Sequence, residues 1–170
     1  MPEVKSKLAT SISELLGSKV ISLEIVLNPR NQAQFVNCLY SINDPSSPNY
    51  HHFLNDTTIR PYLPTSGQKM SVISFFTSHG YKVIDTASPF ILKASAPVNT
   101  HELTLGIKLR IYKSLIHENN YTGPMAQELA RANKFSGIFY APDSPPTLPS
   151  NIATMVNSIQ GLDNYTIPSL

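Results

Sequence analysis

Fourteen prolines in 170 residues set the grain of this chain. Proline lacks a backbone N–H and fixes φ near −65°, so it interrupts helix interiors and sheet ladders alike. Asn28-Pro29 ends an alternating apolar run, Pro45 and Pro48 flank a turn-rich loop, and Pro145, Pro146 and Pro149 force an extended stretch. The fold must therefore be built from short elements around one core. Charge is the second constraint. Only 14% of the side chains are Asp, Glu, Lys or Arg, where soluble domains usually carry about 25%. The polar surface has to come from Ser, Thr, Asn and Gln instead. Thirteen basic and eleven acidic residues give a net charge of +2, which supplies no patch for nucleic acid or an anionic membrane. No run approaches the roughly 18 apolar residues of a membrane span.

Between these breaks the periodicity predicts the elements. Val4, Leu8, Ile12, Leu15 and Leu16 share a helical face, so a helix is expected over Val4–Leu16 with Gly17 as its stop. Lys19 to Leu27 alternates and is β-branched, which predicts a strand. A helix follows over Asn31–Ile42, with Phe35, Cys38, Leu39 and Ile42 inward. A helical turn is expected over Thr57–Tyr62, then a helix over Ser66–His79 with Met70, Ile73 and Phe76 inward and Gly80 as cap. Strands are expected over Tyr81–Thr86 and Phe90–Ala96, a helix over Thr100–Leu105, and strands over Lys108–Tyr112 and Phe135–Ala141. Ser114–Lys134 reads as a polar insertion with a helix over Met125–Ala132. Ile152, Met155, Val156 and Ile159 predict a last helix, closed by Gly161. The sum is an α+β, ferredoxin-like fold: one antiparallel sheet covered by helices on one face, with extra helices at the termini and in the insertion. Its expected organisation is a helical extension at 1–18, the α+β domain at 19–162 with the insertion at 114–134, and a linker tail at 163–170.

The chemistry is sparse. The single cysteine, Cys38, excludes an internal disulfide and a cysteine metal cluster, and its helical spacing places it in the core. Motifs for zinc, for phosphate cradling and for a serine elbow are absent from the sequence. His51-His52 is the one histidine pair, and adjacent residues of an extended segment point apart, which argues against a shared metal. No metal, cofactor or catalytic residue is expected. Asn55, Asn120 and Asn164 begin Asn-x-Thr sequons and are glycosylation candidates in a secreted chain. Met1-Pro2-Glu3-Val4-Lys5 places charges where an export signal has its apolar core.

Several segments, taken in order, resemble the activation prodomain of sedolisins, the pro-kumamolisin and tripeptidyl-peptidase type of serine-carboxyl peptidase. Val20–Leu27 with Asn28-Pro29-Arg30-Asn31 is similar to the family's opening strand and first turn. Ser41 to Leu54, SINDPSSPNYHHFL, resembles its Ser-x-Pro-x-Tyr-x-x-Phe/Leu-Leu signature. Ser78-His79-Gly80-Tyr81 resembles its helix-to-strand junction, and Phe139-Tyr140-Ala141 through Leu148-Pro149, then Val156 to Asn164, resemble its exit pattern. The likeness spans 19–164; the insertion at 114–134 is longer than the family's pattern.

The resemblance implies a non-enzymatic companion of a peptidase: an intramolecular chaperone and inhibitor, removed by autoprocessing in acid, in a secreted or acidic compartment. Its partner would be a sedolisin-type catalytic domain, in cis or in trans. Tyr50, His51 and His52 are the expected docking element, against the plainer expectation that Tyr50 and Phe53 pin the loop to the domain's own core. Gly161, Leu162, Asp163, Asn164 and Tyr165 are the expected cleft-reaching or processing tail. The competing classes are a stand-alone ferredoxin-like binding or regulatory module and an enzyme with an unrecognised site.

Overall fold

The run VISLEIVL alternates between buried and outward positions along its whole length, as a strand covered on one face must. In a computed structural model of the chain, which describes residues 9–114 and 138–164, this run is β2, Val20–Leu27. The remaining elements are β1 (Ala9–Glu14), α1 (Gln32–Asn43), a 3₁₀ turn (Arg60–Tyr62), α2 (Ser66–Ser78), β3 (Lys82–Asp85), β4 (Ile91–Pro97), α3 (Val98–Leu105), β5 (Leu109–Ser114), β6 (Ile138–Pro142), α4 (Ser150–Ala153) and β7 (Val156–Gln160).

These elements form an α+β fold with two sheets, where one was expected. The four-stranded sheet has the order β3-β4-β2-β7, and the three-stranded sheet the order β1-β5-β6. The first order is ferredoxin-like: the first and third strands of the set lie centrally, and the second and fourth form the edges. β3 pairs antiparallel with β4, and β7 antiparallel with β2. The chain divides into two compact units. Unit 1 comprises Met1–Ile21, Ala96–Leu148 and Gly161–Leu170, and unit 2 comprises Ser22–Ser95 and Pro149–Gln160.

Unit 2 buries Leu23, Ile25 and Leu27 of β2, Leu92 and Ala94 of β4, and Val72 and Phe76 of α2. The inward face of α2 is thus set by Val72 and Phe76, and Met70, expected inside, is exposed. α2 starts on a capping box in which Thr65 and Gln68 exchange side-chain and backbone bonds. It stops at Gly80, whose φ of 87° is a left-handed conformation that suits glycine. In α1 only Ile42 is buried; Cys38 is half-buried and Leu39 exposed, so this helix is less enclosed than its spacing suggests. Arg30 ties the segment before α1 to the 3₁₀ turn, donating Nε to Leu63 O at 2.6 Å and Nη2 to Arg60 O at 2.9 Å.

Unit 1 centres on the β5–β6 pair, where Tyr112, Phe139 and Ala141 cluster with Ala9. Two expected helices are strands. Of the first, whose described part is 9–16, Ala9–Glu14 is β1 and pairs antiparallel with β5. In the second, helix persists only over Ser150–Ala153, and Val156–Gln160 is β7. Both segments have apolar residues at helical spacing. The hydrogen bonds available on a neighbouring strand override that local preference. The helix expected over Met125–Ala132, the sequon at Asn120 and Tyr165 lie outside the described residues.

Candidate docking surface

The four-stranded sheet turns one face inward and leaves the other open. On the open face of β2 stand Ser22, Glu24 and Val26, opposite the residues buried at Leu23, Ile25 and Leu27. Register carries this face across the sheet: Glu24 pairs with Gln160 and Val26 with Ser158 on β7, while Lys82 pairs with Ser95 and Ile84 with Lys93 on β3 and β4. Lys93 and Glu24 meet across the centre at 3.5 Å. Both are well exposed, so the pair adds little to stability but fixes the charge pattern of the face. Ile84 is 52% exposed. The surface is mixed, polar with isolated aliphatics, as the face of a non-obligate interface is.

The loop after α1 holds the predicted docking residues. Asp44 Oδ1 accepts from Ser46 Oγ at 2.7 Å and from Ser46 N at 2.9 Å. The side-chain bond, then the backbone bond, hold its carboxyl below the usual carboxylate value. Backbone bonds then close successive turns, with Tyr50 N–H donating to Ser47 O, and His51 N–H to Ile42 O at 3.0 Å. His51 sits at φ 60°, in the left-handed region that few residues other than glycine occupy, histidine more readily than most. The segment is therefore not extended there, and the expectation of opposed histidines does not describe it. The Tyr50 ring stacks on His51 at 3.8 Å, and His51 on Phe53 at 5.7 Å. This ladder faces outward: Phe53 is 68% exposed, Tyr50 38%, and both histidines are exposed. Tyr50 and Phe53 do not pin the loop into the core; the Asp44 cap and the turns hold it. Beside the loop, Asn37, Tyr40, Ser41, Asn43, Asp44 and Ser47 line a shallow open depression.

The exit segment Gly161–Asn164 belongs to unit 1. Leu162 is buried, while Gly161 and Asn164 are exposed. Asn164 engages both backbone groups of Tyr140: its Oδ1 accepts from Tyr140 N at 2.7 Å, and its N–H donates to Tyr140 O at 3.3 Å. Tyr50, His51 and His52 thus share a loop of unit 2, and Gly161 to Asn164 share a β6 edge of unit 1. Asn55 is exposed in an Asx turn, its Oδ1 accepting from the N–H groups of Thr57 and Thr58 at 3.0 Å.

Sequence reasoning missed His101. It is wholly buried in unit 1, and its Nε2 faces the carbonyl oxygens of Ala96 at 3.0 Å and Ile21 at 3.3 Å. Both partners only accept, so Nε2 carries the proton. Burial, opposed by these two bonds, holds the ring below the usual imidazole value. Its place in the short helix after Pro97 was legible, but which backbone groups it would meet was not. Among the described residues, no three His, Cys, Asp or Glu side chains converge on a metal position.

No curated protein matches the chain. The family model described as Pro-kumamolisin, activation domain, matches residues 8–165 and so takes in β1 and every later described element. The chain belongs to the pro-kumamolisin activation-domain family, the propeptides of sedolisin-type peptidases.

Proposed function

We propose that this domain is the chaperone and inhibitor of a sedolisin-type serine peptidase, bound in cis or in trans and released in acid. The open face of the four-stranded sheet carries this reading. An antiparallel platform covered on one side and mixed in polarity on the other suits an interface of about 800 Å² per partner. Such a platform can template a protease whose native state is reached slowly. The Tyr50–His51–Phe53 ladder and His52 form a second point of attachment, and the segment from Gly161 to Tyr165 directs the chain toward the cleft. The chain itself is non-catalytic in this scheme and works in a secreted or acidic compartment, where Asn55, Asn120 and Asn164 are open to glycosylation.

Acid release follows from charge. With five histidines and eleven carboxylates against a starting charge of +2, falling pH adds positive and removes negative charge, and side chains of these two kinds ordinarily change between about pH 6.5 and pH 4. The test is titration of the chain into a sedolisin-type peptidase, with inhibition read on a peptide substrate. Inhibition is expected at neutral pH and should weaken between roughly pH 6 and pH 3. Affinity that stays constant across that range would overturn acid release, and failure to inhibit at any pH would overturn the docking reading.

A further inference from the structure

Tyr140 gathers four contacts at the outer edge of the three-stranded sheet. β6 is an edge strand of that sheet, with β5 on its inner side. An edge residue presents an N–H and a C=O that a neighbouring strand would otherwise satisfy. At Tyr140 both are taken by one residue, Asn164, through its Oδ1 and its backbone N–H. The Tyr140 hydroxyl reaches Gly161 O at 3.5 Å, the long limit of a hydrogen bond. Lys19 Nζ lies over the Tyr140 ring at 5.2 Å. Between the two attachment points Leu162 is 4% exposed. The exit segment is therefore held at both ends and by an apolar plug in the middle.

A peptidase cleft binds its substrate as an extended strand and needs the backbone groups of that strand for itself. Here the Asn164 N–H is engaged by Tyr140 and Leu162 is inside the domain. Cleavage within the segment requires local opening first, and its rate follows the population of the open form. We propose that Tyr140 and Asn164 latch Gly161–Asn164 to the β6 edge, withholding these residues from a peptidase cleft and confining cleavage to the C-terminal side of Asn164. This rests on the propeptide reading and narrows it: the segment directs the chain by being fixed, and the cleft receives the residues from Tyr165 onward. Hydrolysis adds one water across the peptide bond and needs no other reactant. The latch also gives Asn164 a reason to be there that is separate from its sequon.

Chymotrypsin supplies the test, because it favours bonds after large apolar and aromatic residues, and one such bond lies within the latch and another beyond it. Leu162–Asp163 lies inside it and Tyr165–Thr166 outside. The full chain, made in a bacterial host without glycans, is digested briefly at pH 7.5, and the products are read by intact mass. The ratio of the two cuts is normalised to the same chain in urea that unfolds it but spares the protease. In the folded chain, cleavage after Leu162, which draws Gly161 to Asn164 into the protease, should be suppressed more than cleavage after Tyr165, which draws in only the last residues of the latch. Asn164→Ala should raise the inner cut about five- to tenfold, the factor expected for one lost hydrogen bond. Asn164→Asp keeps an oxygen acceptor for the Tyr140 N–H and should stay close to the parent. Circular dichroism melts establish that each variant is folded, and Tyr140→Phe, which spares the backbone bonds, should change the ratio least. An inner cut as fast as the outer one, or Asn164→Ala behaving like the parent, or Asn164→Asp behaving like Asn164→Ala, would overturn the latch. Chymotrypsin makes no use of the sheet face, so a failed latch leaves the propeptide reading standing, and failed inhibition leaves the latch standing.

Discussion

Two regions of this domain place histidine in opposite surroundings. In α3, just after β4, His101 has no exposed surface and gives its Nε2 proton to two backbone carbonyls. In the loop after α1, His51 and His52 lie on the surface, with His51 layered between Tyr50 and Phe53. Protonating a buried imidazole costs solvation that the fold must supply, whereas an exposed one gains a proton at little cost to the fold. Acid therefore has a buried target in this protein, and through His101 it acts on stability.

The largest effect should come from the buried site. His101→Ala removes ring volume from a closed environment and leaves the Ala96 and Ile21 carbonyls without their donor. A loss of about 2–4 kcal/mol is expected, read by urea denaturation at pH 7.5. A loss under about 0.5 kcal/mol, the size of an ordinary surface substitution, would erase the contrast between the two regions.

His101 also predicts a pH slope. Its folded pKa lies below the reference value of 6.5, so the unfolded chain binds the proton more readily. The site's contribution to stability is complete above pH 6.5 and declines as pH falls toward the lowered folded value. The steepest slope one such group can give is about 1.4 kcal/mol per pH unit. His101→Gln retains an N–H donor and does not titrate. The difference in unfolding free energy between parent and His101→Gln should therefore shift against the parent on acidification below pH 6.5. A difference that is flat from pH 7.5 to pH 5 would remove His101 as a route for acid.

The contrast between buried and exposed sites also marks what was legible in the sequence. Alternation in VISLEIVL and the helix stop at Gly80 are local signals, and each element they predict is present. Ile12 with Leu15 and Leu16, and Ile152 with Met155 and Val156, carry the same kind of spacing, yet 9–14 and 156–160 are strands. There the deciding partners are β5 and β2, more than ninety residues away in sequence, and a window of local periodicity does not contain them. The candidate site divides in the same way. Tyr50, His51 and His52 stand out because they share one motif. His101 with Ile21, and Tyr140 with Asn164, are joined only by tertiary folding.

On the loop side, Asp44→Ala removes the acceptor of both Ser46 bonds. Asp44 is bonded as a carboxylate, its folded pKa lies below 3.8, and its contribution is present above that value and fades as pH falls through the folded one. The group is fully exposed, so the loss of stability should be smaller than that of His101→Ala in the same urea experiment. The loop should also become more open to proteolysis between Asp44 and Leu54. Equal losses at the two sites would mean that the loop is part of the cooperative core.

The smallest effect, of opposite sign, is expected at His51. A left-handed φ of 60° costs a non-glycine residue roughly 1–2 kcal/mol, and glycine adopts it freely. His51→Gly relieves that strain but gives up the stacking with Tyr50 and Phe53 and adds freedom to the unfolded chain. These opposing effects nearly cancel, so the net change in stability should lie between zero and a gain of about 1 kcal/mol. If the loop is a point of attachment, the same substitution should weaken inhibition of the peptidase while the fold is unharmed. The left-handed backbone at an exposed histidine is the observation that motivates this test. Inhibition unchanged alongside a gain in stability would show that the ladder is only surface. The docking role would then rest on the sheet face alone.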